Sequence, residues 1–80
     1  MKGTTKFIDN NGEVLTKFIQ PIDLNKNDMI NLESAPQGKP VLTLYRVDNK
    51  VIKIDMSGWV HYEYTLYLIT GPHEQKYFIQ

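Results

Sequence analysis

The 80-residue sequence predicts an all-β protein, built as a small antiparallel barrel or a thin sandwich of five to seven short strands with little or no helix. Two observations predict this class. Turn-forming residues recur at roughly the eight-to-twelve-residue spacing of short strands. Between the turns, apolar residues alternate with a period of two instead of 3.6. An open flat sheet of this size would expose one apolar face, so we expect the sheet to curl, fold over or dimerise.

The first element is a hairpin whose turn is Asp9–Gly12, because Asn and Gly tolerate positive φ. Its strands are predicted at Thr4–Ile8 and Glu13–Gln20. Pro21 follows the second strand and has no N–H to give to a ladder, so strand pairing should weaken there.

A polar connection is predicted next, over residues 21–28, since Asn and Asp there form local turns readily. A short helix turn over Asp23–Asp28 is the less favoured interpretation, because the helical period is poor. A brief strand, Met29–Glu33, and a loop with two prolines and a glycine, Ser34–Pro40, come after it.

The longest extended region is Val41–Met56, and its alternation changes phase across Asp48–Lys50. A phase change indicates either a hairpin turn at these residues or a bulge within one long bent strand. The turn is slightly favoured because Asp-Asn accepts turn geometry well. Ser57 and Gly58 then predict another reversal of the chain.

The strand with the strongest signal is Trp59–Ile69. One of its faces is nearly all apolar, with Val60, Tyr62, Tyr64, Leu66 and Leu68, while the other carries Trp59, His61, Glu63, Thr65, Tyr67 and Ile69. A strand with one fully apolar face should pair centrally and pack on the core. A loop over residues 70–75 and a last strand, Lys76–Gln80, complete the prediction.

This order of a hairpin, a short polar connection, a brief strand, a loop and a long meander resembles SH3-like and other small barrels of five to six strands. The resemblance covers most of the chain but consists of the pattern alone, with no specific motif. Such folds serve many functions, so the resemblance implies the architecture and not an activity.

Charge and composition narrow the function classes. Nine basic and nine acidic residues give zero net charge, and each half of the chain is itself balanced, five against five and four against four. A basic stripe typical of nucleic-acid binders is therefore missing in bulk. The absence of cysteine excludes disulfides, and no apolar run approaches a membrane span. We expect one domain over residues 1–80, in the cytoplasm.

Catalysis is not predicted. His61 and Glu63 lie two residues apart and point the same way, so with Asp55 or His73 they could form a metal or acid–base cluster. A water-exposed polar face is the favoured interpretation of these residues. The sequence has no Gly-x-Ser-x-Gly elbow and no glycine-rich phosphate loop. No catalytic residue, metal, cofactor or small-molecule substrate is therefore expected.

Protein contact is the predicted function, because four of the nine aromatic residues fall within Trp59–Tyr67 and Trp and Tyr are enriched at interface hot spots. The predicted contact residues are Trp59, His61, Tyr67 and Tyr45, with the loops Ser34–Pro40 and Gly71–Gln75 second. The competing interpretation is that these side chains cover the second side of a closed barrel. Edge strands could also pair with a partner strand or a second copy.

The alternative function is single-stranded nucleic-acid binding, with bases stacked on Trp59, Tyr67, Tyr45 and Tyr77 beside Arg46, Lys50, Lys53 and Lys76. Acidic residues interleave with these cations and would oppose phosphate, so this function is not favoured. The Lys-, Asn- and Ile-rich composition suits a phage or mobile-element accessory protein that modulates or inhibits a host factor.

Overall fold

A computed structural model of the chain describes residues 2–34 and 38–69, which form one five-stranded sheet and contain no helix. The strands are β1 (Gly3–Asp9), β2 (Val14–Phe18), β3 (Met29–Ser34), β4 (Val41–Ile54) and β5 (Val60–Leu68). Their order across the sheet is β2-β1-β5-β4-β3. The sheet curls into a half-barrel, which confirms the predicted small all-β, barrel-like fold.

The central strand is β5, as its apolar face predicts, with β1 on one side and β4 on the other. Every pairing is antiparallel except that of β1 with β5, which runs parallel from Gly3 opposite Val60 to Asp9 opposite Leu66. Alternation within a strand carries no information about a partner more than fifty residues away. The parallel pair is therefore a feature that only the structure shows.

The first hairpin turn is confirmed. The Asp9 carboxylate accepts the backbone N–H groups of Asn11 and Glu13, both at 2.9 Å, and Gly12 has a φ of 88°. A positive φ is why glycine suits this position. β2 is shorter than the predicted strand, because it begins at Val14 and ends at Phe18.

The prediction of a turn at Asp48–Lys50 is wrong. β4 runs unbroken from Val41 to Ile54, and a bulge lies between Val47 and Asn49, opposite Leu66 and Thr65 of β5. One extra residue in β4 restores the alternation against an uninterrupted partner strand. The phase change in the sequence therefore marks a bulge, which shifts the alternation without ending the strand.

The connection between β2 and β3 is irregular and contains a turn near Asn27, which has a φ of 75°, instead of the less favoured helix. β3 lies where it was predicted, with Ser34 added. The predicted loop at Gly71–Gln75 and strand at Lys76–Gln80 lie outside the described residues, as does part of the loop Ser34–Pro40.

The larger part of the core lies on one face of the curled sheet, named here the concave face, while the buried side chains of Leu44 and Ile69 fall on the opposite face by strand alternation. The fully buried cluster of the concave face is Phe7, Val47, Tyr64 and Leu66, and partly buried apolar residues pack around it: Leu24, Ile30, Leu32, Tyr45 and Tyr62. Phe7 stacks on Tyr64 with ring centroids 5.6 Å apart. The opposite side of the sheet is named the convex face. No helix in the described part of the chain is long and apolar enough to cross a membrane.

Candidate interaction surface

The predicted contact residues Trp59 and Tyr67 are both exposed, by 42% and 47%. Because Tyr64 and Leu66 fill the concave face, the alternation of β5 places His61 and Tyr67 on the convex face. Trp59 immediately precedes β5. Trp59 and Tyr67 are eight residues apart in extended chain, which places their Cα atoms about 26 Å apart. The two aromatic rings therefore do not form one patch.

Tyr45 lies elsewhere. It pairs with Leu68 across β4 and β5 and packs against the concave core cluster. The structure therefore does not bring the four predicted contact residues together. Alternation shows which residues share a face of one strand, but it cannot say which face of β4 is continuous with which face of β5.

The His61 side chain connects neighbouring elements at the start of β5. Its Nε2 lies 3.0 Å from the carboxylate of Asp55, and its Nδ1 lies 2.8 Å from the hydroxyl of Thr4 in β1. A carboxylate only accepts, so Nε2 carries a hydrogen and donates it to Asp55. In the neutral ring, Nδ1 then accepts from Thr4. The imidazole thus joins β1, β5 and the turn between β4 and β5.

Asp55 closes that turn. One of its carboxylate oxygens accepts the backbone N–H groups of Ser57 and Trp59, at 2.9 and 3.0 Å. The hydrogen bond from His61, and after it the backbone bond from Trp59, holds the pKa of Asp55 below its usual range. Gly58 has a φ of 82°, so the reversal predicted at Ser57 and Gly58 is confirmed.

Glu63 does not join His61. It pairs with Lys53 of β4 at 2.9 Å, and this hydrogen bond lowers the pKa of Glu63. Within residues 2–34 and 38–69, no three His, Asp or Glu side chains form a group that could hold a metal ion. His73, which the metal hypothesis also used, lies outside the described residues.

Cations stand over both exposed aromatic rings. Lys2 Nζ lies 5.4 Å from the centre of the Trp59 ring, and Arg46 Cζ lies 5.0 Å from that of Tyr67. The Nε of Arg46 is buried, and no described residue hydrogen-bonds it. Cation–π attraction holds each pair together, so each aromatic ring presents a positively charged neighbour.

On the side away from β1, the hairpin of β4 and β5 extends beyond β3 and carries the most exposed apolar side chains of its strands. Ile52 is 55% exposed, Ile54 68% and Met56 fully so. β3 pairs with β4 only as far as Arg46, so no described strand covers the outer edge of β4 beyond the bulge. The name hairpin-end surface is used here for Ile52, Ile54 and Met56. Their alternation is the pattern of a half-buried strand, and they are exposed because the pairing of β3 ends at Arg46.

A cleft of about 230 Å³ separates the two edge strands on the concave side. Leu15 and Thr16 of β2 line one wall, and Leu32, Ser34 and Thr43 are among the residues of the other. The cleft is the gap that a closed barrel would fill by pairing β2 with β3. Among the described residues, its lining combines hydroxyl and apolar groups with the carboxylate of Glu33 and includes no cation.

The chain matches no protein-family model, and neither a curated protein nor a solved structure is similar to it. The fold and the surface define a small all-β half-barrel in which no described strand pairs with β4 at the hairpin end. Function must therefore follow from the contacts and exposures described above.

Proposed function

We propose that this protein is a small non-catalytic binding module that acts through protein–protein contact at the hairpin-end surface. The observation that carries the proposal is the exposure of Ile52, Ile54 and Met56 together at one end of the molecule. Single exposed apolar residues are ordinary, whereas grouped ones mark interaction sites. Trp59, at the same hairpin end and half-exposed, adds the residue type most enriched at binding hot spots.

The rigidity of the hairpin end supports this proposal. Asp55 and His61 fix the turn through hydrogen bonds to Ser57, Trp59 and Thr4. A surface that is already ordered loses little conformational entropy when a partner binds. The same bonds occupy both ring nitrogens of His61, which leaves this imidazole a structural role.

The test uses the tagged protein to capture partners from its native cells, followed by calorimetric titration with the purified partner. Ile54→Ser and Trp59→Ala should each weaken binding at least about fivefold, the loss typical of a contact worth more than about 1 kcal/mol. Ile19→Ser is the matched control, since Ile19 is 93% exposed but lies outside the hairpin. A partner that binds all variants equally well contradicts the proposal.

A second candidate is single-stranded nucleic-acid binding, and the two cation–aromatic pairs favour it. Stacking on Trp59 and Tyr67 beside Lys2 and Arg46 is the combination such proteins use. Fluorescence anisotropy with labelled oligonucleotides tests it: affinity should fall steeply with salt, and Tyr67→Ala should weaken it. No anisotropy change at low salt removes this candidate.

A further inference from the structure

The edge of β4 is open over its second half. β3 covers β4 from Val41 to Arg46, and the backbone groups of Val47 bond to Asn27 and Asp28 in the connection. Beyond the bulge, no other described residue takes the place of these partners along the outer edge of β4. A strand edge with unpaired N–H and C=O groups is a template for another strand.

The direction of the backbone groups follows from the neighbouring strand. Val60 donates its N–H to the carbonyl of Lys2, on the side of β1, so it points away from β4. In an antiparallel pair, when the backbone groups of one residue point away from the partner strand, those of the residue facing it also point away. Ile54 faces Val60. By the period of two, Ile54, Ile52 and Lys50 all point their N–H and C=O groups away from β5.

The bonds of Val47 give the same result independently. Its N–H and C=O both bond to the connection, away from β5, and it faces Leu66. Counting along β5 in twos from Leu66 leads to Tyr64 and Tyr62, which face Lys50 and Ile52. Beyond the bulge, six backbone groups of β4 therefore face outward, namely the N–H and C=O of Lys50, Ile52 and Ile54.

The side chains on this edge are suited to contact. Lysines usually protect open edges from pairing. Here Lys50 is ion-paired with Asp23, and Lys53 with Glu63, within the same chain. The remaining side chains on the side of the hairpin-end surface are apolar. Each lysine of this edge therefore has a carboxylate partner within its own chain, which lessens but does not remove the repulsion that an approaching cation would meet.

We propose that the occupant of this edge is a second copy of the chain, which pairs its own β4 antiparallel about a twofold axis at Ile52. Ile52 then faces Ile52 of the second copy, and Lys50 faces Ile54 of the second copy. On the other face of the ladder, Val51 faces Lys53 of the second copy. This inference rests on the proposed function, because it names the partner that uses the hairpin-end surface.

The register itself favours a second copy. Centring the pair on Ile52 matches all three outward-pointing residues of each copy and forms about six backbone hydrogen bonds. No two lysines face each other, and the zero net charge adds no repulsion between copies. A twofold pair uses both edges at once and closes, so it yields a dimer and not a filament.

Sedimentation equilibrium of the full chain, from about 10 μM to about 1 mM, tests the proposal, because five paired residues per copy bury less than a standard interface and should bind weakly. The average mass should rise from that of one chain, 9.3 kDa, towards twice that value. Ile52→Pro should keep the mass at one chain. Its lost N–H faces away from β5, and proline is tolerated at such an edge.

Ile54→Lys is the second variant, since it leaves the backbone intact and sets an ammonium opposite Lys50 of the second copy. It should weaken the dimer at least about tenfold, an effect that high salt should reduce. Ile19→Lys is the matched control and should dimerise as the parent does. Circular dichroism and Trp59 fluorescence verify that each variant is folded.

Two results overturn the self-pairing: a parent protein that stays at one chain up to the highest concentration, or a dimer that both β4 variants leave unchanged. A single-chain parent that still binds a purified partner, with affinity lost in Ile54→Ser, overturns the self-pairing and leaves the proposed function standing. A dimer lost in both β4 variants supports the self-pairing, whatever other proteins bind elsewhere.

Discussion

Two regions that border the central strands differ in what holds them in place: the connection between β2 and β3, and the hairpin end of β4 and β5. The connection between β2 and β3 crosses the concave face and is tied down by side chains from the core. The hairpin end of β4 and β5 is ordered by its own turn and bordered by β1, but no described strand pairs with the outer edge of β4 there. In this 80-residue chain, an irregular segment covers one face of the sheet, while one strand edge is left available for contact.

Two buried hydroxyls hold the connection. Thr5 donates to the carbonyl of Gln20 and accepts from the N–H of Ile22, at 2.8 and 2.7 Å. Tyr64 donates to the carbonyl of Ile22 and accepts from the N–H of Leu24, at 2.6 and 2.8 Å. These four side-chain hydrogen bonds hold the backbone of the connection in place, although it forms no strand. The connection therefore belongs to the core.

The largest expected effect lies where β1 meets the start of β5, beside the hairpin end. A Cβ on Gly3 would lie 1.6 Å from the carbonyl oxygen of Val60. Gly3→Ala should therefore push the strands apart and lower the free energy of unfolding by about 3 kcal/mol, the upper part of the range for overpacking. Urea denaturation measures the loss.

Gly12→Ala is the control for that substitution. No atom lies within 4 Å of a Cβ at Gly12, but its φ is 88°. Only the left-handed backbone conformation is penalised there, at about 1 kcal/mol. Equal losses for the two variants would show that close approach at Gly3 is not the cause.

The second effect tests whether the connection is part of the core. Tyr64→Phe removes one hydroxyl and leaves the carbonyl of Ile22 and the N–H of Leu24 without that partner, which should lower the free energy of unfolding by about 2 kcal/mol. Tyr62→Phe is the matched control. No described residue hydrogen-bonds the Tyr62 hydroxyl, so its loss should stay within about 0.5 kcal/mol.

Amide hydrogen exchange extends this test to the connection itself. Tyr64→Phe should speed exchange at Leu24, whose N–H loses its acceptor. Burial raises the pKa of Tyr64, so the neutral phenol that donates to the connection persists above its ordinary titration range. Unchanged exchange at Leu24 would mean that the hydroxyl does not fix the connection.

The third effect is a pH dependence of the hairpin turn. The folded pKa of Asp55 lies below its ordinary value of 3.8. A group with a lowered folded pKa stabilises the fold above its unfolded pKa, and this stabilisation is lost as pH falls through the folded pKa. Thermal unfolding of the parent should therefore show a decline below pH 3.8 that is reduced in Asp55→Asn.

The control for the pH series is Asp23→Asn, which changes an exposed carboxylate of the connection. Asp23 pairs with Lys50, but it accepts no backbone N–H of the hairpin turn. If the two Asn variants and the parent decline in parallel with falling pH, the turn is not stabilised by the ionised form of Asp55.

Sequence patterns predicted the local parts of this fold. Asp9–Gly12 and Gly58 mark turns because their backbone needs are local, and the apolar face of β5 marks the centre of the sheet. The parallel pairing of β1 with β5 and the bulge near Asp48 depend on contacts between distant segments. Alternation does not report such contacts, which is why a turn was expected at the bulge.

The candidate site was predicted less well for the same reason. Trp59 and Tyr67 are exposed, but Tyr45 packs on the concave face. Both ring nitrogens of His61 are hydrogen-bonded within the fold. Ile54 and the rest of the hairpin-end surface occupy alternating apolar positions of the sequence. Whether such a position is buried depends on how far the neighbouring strand extends, and β3 ends its pairing at Arg46.

The smallest expected effect distinguishes a contact surface from a misjudged part of the core. Ile54 is 68% exposed, so Ile54→Ser should change the free energy of unfolding by at most about 0.5 kcal/mol. Leu66→Ala, at a buried position of the neighbouring strand, should cost about 3 kcal/mol. Both are measured by urea denaturation at low micromolar concentration, where self-association contributes little to stability.

A loss above about 1 kcal/mol for Ile54→Ser under these dilute conditions would mean that the side chain packs within the single chain. The hairpin-end surface would then belong to the fold. If stability is unchanged, the isoleucine contributes nothing to its own fold that a serine does not. Its apolar area can then lower the free energy only when another chain covers it, because burial is what makes apolar surface favourable.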